Sequence, residues 1–157
     1  MTIADCLLFS YDRSHKFMHM MIDDLTPAEW LKRPVDGANH AAWIVGHLIV
    51  VERNALKFLS LPQPALPTDD FAARHGKGST PTDDAGDVSK LRPLFDEQRA
   101  AITAAIKTLP AEGFDRPTDH PMFKTVGQFL TLVPGHAMLH IGHLSTIRRS
   151  LGKPAAL

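Results

Sequence analysis

The chain has one cysteine, Cys6, and one tyrosine, and its 17 Lys plus Arg are balanced by 17 Asp plus Glu over 157 residues. A lone cysteine cannot close an intramolecular disulfide, and without a Cys-x-x-Cys pair there is no thiolate metal or redox motif. This fits a reducing, cytoplasmic setting. Zero formal charge and an isoelectric point near 7.1 give no electrostatic reason to expect nucleic acid or an anionic membrane as partner. Long apolar runs are also missing: Asp5, Asp12, Arg13, His15 and Lys16 interrupt the N-terminal apolar pattern. That excludes a signal-peptide core or a membrane span there and implies a soluble chain. Histidine, in contrast, is abundant, at nine residues. Imidazole is the commonest metal ligand and the side chain that titrates near neutrality, so this excess asks for a chemical explanation.

Length and a 44% hydrophobic content fit one domain, residues 1–157, with a real core. Ile3, Leu7, Tyr11, Ser14, Met18, Ile22 and Leu25 recur at three- and four-residue steps, the pattern of an amphipathic helix. Cys6 falls on that stripe and reads as a buried, inert thiol. Thr26-Pro27-Ala28-Glu29 starts a short helix that Pro34 stops. A second long helix is expected from Asn39, its presumed N-cap, to about Leu61. Its apolar residues surround most of its circumference, so it needs cover on more than one side, with self-association as one source. Residues 62–87 hold four prolines, three glycines and five aspartates, which suits a functional crossover or lid. A third helix begins between Val88 and Pro93. The fourth spans about Thr125–Leu151, with a kink or local unwinding expected at Pro134-Gly135.

Pro27–Pro34 and Pro110–Pro117 share five of eight residues. Each follows one long helix and precedes another, which predicts two helical hairpins with approximate two-fold symmetry, joined into an all-α four-helix bundle.

His136 and His140 are four apart on the fourth helix, about 40° from one another around its axis, and both lie near its inward stripe. They can aim at one ion, or they can be polar-tipped core residues. His140 and His143, three apart, form an alternative pair. A catalytic metal site needs a third protein ligand, and His47, after Gly46 on the apolar face of the second helix, is the best candidate. Glu52 faces away from it. His40 shares the face of His47 and is a possible pocket residue, as is His143. His15 and His19 read as surface residues, and His75 and His120 as loop residues without a spacing argument.

Trp43-Ile44-Val45-Gly46-His47-Leu48, the Gly76-Lys77-Gly78-Ser79-Thr80-Pro81 loop and His136-x-x-x-His140-x-Gly142-His143-Leu144 with Arg148 together resemble the DinB/YfiT-like superfamily of metal-dependent enzymes. The resemblance covers nearly the whole chain. It implies an up-down-down-up four-helix bundle with a long crossover between helices two and three, often homodimeric. It also implies a divalent metal, nickel or zinc in many members, on the positions that match His47, His136 and His140. Where many members carry Gln after the glycine, this chain has His143. Characterised relatives include thiol S-transferases that use bacillithiol, mycothiol or glutathione.

The expected function is therefore metal-dependent chemistry on a small molecule: transfer involving a low-molecular-weight thiol, or hydrolysis. A non-catalytic metal-binding or stress-response dimer is the alternative. Three neutral imidazoles leave a divalent ion its full charge and open positions, so no protein nucleophile is required.

Overall fold

The computed structural model describes residues 1–84 and 86–154. Four long helices carry the architecture: α1 (Ile3–Ile22), α2 (Ala41–Phe58), α4 (Leu91–Thr108) and α6 (Val126–Ser150). Two single turns, α3 (Phe71–Arg74) and α5 (Ala111–Phe114), lie in the connections. Among the described residues there is no strand; one isolated bridge, Pro117 to Thr125, leads into α6. No helix among them is long and apolar enough to cross a membrane.

Local chemistry sets the boundaries. Thr2 and Asp5 form a capping box at the start of α1, each side chain bonded to the other's backbone N–H, which satisfies donors a helix start leaves free. Thr26 and Glu29 form the same reciprocal pair, and the short helix expected there is a 3-10 turn, Glu29–Leu31. Thr125 caps α6 through the Gln128 N–H. The second helix starts two residues later than expected: the His40 side chain, not Asn39, accepts the Trp43 N–H at 3.0 Å.

The bundle is up-down-down-up. On one side Tyr11 meets Leu130 and Met21 meets Arg148, so α1 and α6 run parallel. At one end of the core, residues of α2 between Ala41 and Ile49 pack with Leu91–Phe95 of α4 and Ala137–Ile147 of α6. At the other end, Ala55 and Leu56 pack with Ile102, Ile106 and Val126–Val133. Hence α2 is parallel to α4 and antiparallel to α6. Because α1 packs on α6 and α4, and α2 packs on α4 and α6, α1 lies across the diagonal from α2, and α4 across it from α6. The two helical hairpins expected from the sequence echo, α1/α2 and α4/α6, are thus antiparallel pairs whose members do not touch along their length. The echoed segments instead each supply one helical turn that buries an aromatic, Trp30 and Phe114.

The apolar circumference of the first half of α2 is covered within the chain. From Ala41 to Ile49 every residue is buried, and the crossover lays Phe71, His75 and the partly buried Leu66 over the face that α4 and α6 leave free. That face is therefore not available to a second copy. The crossover is also fastened rather than loose: Arg33 bonds the carbonyls of Ala38 and Pro81, and Arg53 bonds that of Pro64. Cys6, expected inside, is exposed. The buried line of α1 runs through Leu7, Tyr11, Ser14, Met18 and Met21–Ile22, and Cys6 lies just off it.

α6 runs unbroken through Pro134-Gly135, without the expected unwinding. A proline has no N–H, so the carbonyl four residues earlier, that of Leu130, loses its helical donor. Tyr11 supplies a replacement: its hydroxyl donates to the Leu130 carbonyl at 3.1 Å inside the core. Tyr11→Phe should therefore cost about 1–3 kcal/mol by leaving a buried carbonyl unsatisfied. In a Pro134→Ala background, where an N–H returns, the same substitution should cost less. Urea denaturation of the four proteins in this double-mutant cycle measures the coupling, and additive costs would contradict it.

Candidate metal centre

His47 projects from α2, and His136 and His140 from the facing stretch of antiparallel α6. One ligand nitrogen from each lies within 4.8 Å of the other two. The His136 and His140 Nε2 atoms are 3.2 Å apart, and the His47 ring centroid is 5.1 Å from each of theirs. His47 and His140 are buried and His136 is half-buried, so one side of the cluster faces solvent.

His47 is oriented from behind. Its Nδ1–H donates to the His75 carbonyl at 2.8 Å, which leaves Nε2 as the lone-pair nitrogen. Trp43 stacks on the same ring, 4.9 Å between centroids and 4° from parallel. Trp43 in turn donates its indole N–H to Ser79 Oγ at 3.0 Å, and that hydroxyl reaches the carbonyls of Arg74 and Gly76. The crossover thus fixes a ligand that α2 alone would leave free to rotate. Gly46 makes this possible: a Cβ there would come within 2.3 Å of the His75 ring.

Burial, followed by the like charge its neighbours would carry, depresses the pKa of His140 to about 3. Burial also lowers that of His136, with a smaller contribution from His47. Both rings are therefore neutral near pH 7, the form that ligates metal. His140 Nδ1 is buried with no hydrogen-bond partner among the described residues, an arrangement ordinarily costly in a core. That nitrogen is on the ring edge away from the cluster, whereas the His136 and His140 Nε2 atoms meet beside His47; three convergent imidazoles of this kind fit a divalent cation.

The remaining candidates separate. His143 is exposed, its ring centroid 5.4 Å from that of His140, and it lines a cleft of about 210 Å³ with Pro34, Ala38, Asn39 and Thr146. His40 is buried and fully engaged: Nδ1 accepts from Trp43 and Nε2 donates to the Thr82 carbonyl at 2.8 Å. It is a helix cap without a free nitrogen, not a pocket residue. Glu52 faces away as expected and pairs with Arg99 deep in the core. His75 was not legible as a site residue, because it contributes a backbone carbonyl that no side-chain spacing reveals. Nor did spacing place His15 and His19: they are half-buried against Asp96 of α4 rather than on an open face. His120 packs beside Phe123 in a loop.

A family model describing the DinB superfamily matches residues 10–144. Among solved structures, the chain is similar to YfiT from Bacillus subtilis, a probable metal-dependent hydrolase with an unusual four-helix bundle topology. That match has 24% identity and a TM-score of 0.70 and covers 96% of this chain and 88% of YfiT. A conserved protein from Enterococcus faecalis matches with 16% identity, a TM-score of 0.74, and coverage of 98% and 99%. No curated protein sequence matches the chain.

Gly46→Ala should push His75 off α2, misorient His47 and weaken divalent-metal uptake by about 10- to 100-fold, the usual cost of losing a partner that orients a ligand. Unaltered uptake in a titration would contradict that role. A second expectation concerns pH. Burial lowers the His40 pKa below its ordinary 6.5, so between the two values the unfolded chain binds a proton that the folded chain refuses. Its contribution to stability is complete above about pH 6.5 and is lost as pH falls through that window. His40→Asn keeps a cap and removes the titration, so it should flatten the acid-side slope of melting temperature against pH. His75, His136 and His140, whose pKa values burial also lowers, contribute to the slope that remains.

Proposed function

The chain belongs to the DinB superfamily, and on that premise we propose that it is a metal-dependent enzyme acting on a small molecule. The convergence of His47, His136 and His140 from two antiparallel helices carries this reading. A divalent ion on these residues, nickel or zinc by the resemblance, would supply Lewis acidity and lower the pKa of a water or thiol that reaches it. This supports the two reactions expected from the sequence, hydrolysis and transfer involving a low-molecular-weight thiol, because both need an ionised external nucleophile. The only cysteine, exposed Cys6, belongs to a separate groove with Ile3, Phe9 and Met138.

The chain's own residues divide the remaining work. His47, His136 and His140 would hold the ion, and the His75 carbonyl and the Trp43 ring hold His47 in place. The half-buried side of His136 leaves access for a substrate. His143 sits beside His140 at the mouth of the adjoining cleft, where a free imidazole nitrogen can accept the proton that the nucleophile loses. A homodimer, if it forms, uses a face other than the covered one of α2. Exposed Ile3, Phe9 and Met138 provide one.

Protein purified without an affinity tag should carry about one tightly held equivalent of metal at this triad, and His47→Ala, His136→Ala and His140→Ala should each lose it. His143→Ala should keep that metal yet lower kcat by about 100-fold or more against an electrophilic ester or thiol-conjugation substrate, with an altered pH profile. Equal, negligible metal in the wild type and all three ligand variants would sink the central claim.

A further inference from the structure

We propose a second divalent-metal site, separate from the first, formed by His15 and His19 of α1 and Asp96 of α4. His15 Nε2 lies 2.7 Å from Asp96 Oδ1, His19 Nε2 lies 2.8 Å from the same oxygen, and the two nitrogens are 3.0 Å apart. Three neighbouring donors around one octahedral ion with bonds of about 2.1 Å are about 3.0 Å from one another. The three edges of this cluster all fall close to that value.

His19 is oriented by a carboxylate on its far side. Its Nδ1 is 3.0 Å from Asp23 Oδ1. An ionised carboxylate only accepts, so Nδ1 carries a hydrogen, and the tautomer that makes this bond presents its Nε2 lone pair to the cluster. That lone pair faces Asp96 Oδ1, itself an acceptor, while His15 Nε2 converges on the same oxygen. The one Nε2–H that a neutral His15 can offer reaches either Asp96 Oδ1 or the His19 lone pair and leaves the other without a donor. A cation satisfies all three atoms at once. The Asp23 contact is also the carboxylate–imidazole support that orients metal-ligating histidines. Arg92 lies 3.3 Å from Asp23 Oδ1 and 4.0 Å from Asp96 Oδ2, which holds both carboxylates in place.

The ligand is a borderline divalent transition ion such as Fe²⁺, Co²⁺, Ni²⁺ or Zn²⁺. Two imidazoles and one carboxylate suit these better than Ca²⁺ or Mg²⁺, which prefer all-oxygen shells. The site is reachable: the side chains of His15, His19 and Asp96 are 32%, 19% and 36% exposed. His15 and Asp96 also line a cleft of about 370 Å³ that opens between α1 and α4 beside Arg99 and Thr103. Water or a small anionic ligand can complete the coordination from there. Nothing in this cluster is shared with His47, His136 or His140.

The test is titration of metal-stripped protein with Co²⁺, read by calorimetry and by the visible absorption of the bound ion. Wild type should take up two equivalents. A His47→Ala/His140→Ala variant should keep the equivalent at α1 and α4, whereas His15→Ala and Asp96→Asn should each keep only the other. Asp96→Asn is nearly isosteric, so it carries the test even where His15→Ala fails to fold. Wild-type uptake of a single equivalent that the His47→Ala/His140→Ala variant abolishes would overturn the proposal. So would two equivalents that His15→Ala and Asp96→Asn leave intact. If the proposed function fails but this site exists, the His47→Ala/His140→Ala variant will bind as the wild type does while Asp96→Asn removes the metal.

Discussion

The antiparallel seam between α2 and α6 is the constraint on which the rest of the molecule depends. A ligand triad from two helices needs one to present a histidine opposite an i,i+4 pair on the other, at a depth where the rings are neutral but one edge remains wet. Direct contact between α2 and α6 places His47 opposite His136 and His140. The diagonal relation of α1 to α2 follows from it, because α6 and α4 occupy the two positions beside α2. An up-down-down-up order solves this geometry, and it requires a long connection from α2 to the parallel α4. The crossover length is thus tied to helix direction.

That connection has a second use. Parallel neighbours cannot be joined by a tight turn, and the residues needed to travel the length of the bundle pass over α2. There they bury Phe71 and His75, cover the apolar face that a four-helix arrangement leaves open, and aim the His75 carbonyl at His47. Trp43 and Ser79 complete the same contact from opposite sides. Gly46 is the point where the two requirements meet: the close approach of the His75 ring is compatible only with a missing side chain.

Polar groups inside the bundle are placed where they join helices. Arg99 is fully buried, with Glu52 of α2 as its ion pair and with the Tyr11 carbonyl and Ser14 hydroxyl of α1 as further acceptors. Burial raises the Glu52 pKa, and Arg99 opposes that rise. Such a pair contributes little net stability against an apolar replacement, but removing one partner strands the other. It therefore fixes how α1, α2 and α4 meet. Arg148 does similar work at the end of the bundle, donating to the Met21 carbonyl and to Asp24. Tyr11 repairs the gap that Pro134 opens in α6.

The sequence by itself determined what depends on near neighbours along the chain. Apolar spacing marked the four long helices, Thr26-x-x-Glu29 marked the short turn before α2, Thr125 marked the start of α6, and the four-residue step marked His136 and His140 as a pair. His47 was legible as a candidate because a glycine precedes it on an apolar face. What the sequence could not determine depended on partners distant in the chain. Cys6 looked buried because a stripe defines a face but not its edge. His15 and His19 looked like surface residues because Asp96 is supplied by another helix. Pro134 pointed to local unwinding because the hydroxyl that replaces the lost donor lies on α1, and His75 was invisible because it acts through its backbone. Propensity and spacing act over one or two turns, whereas which helix faces which is decided by packing the whole core, and only that packing assembled the two histidine clusters.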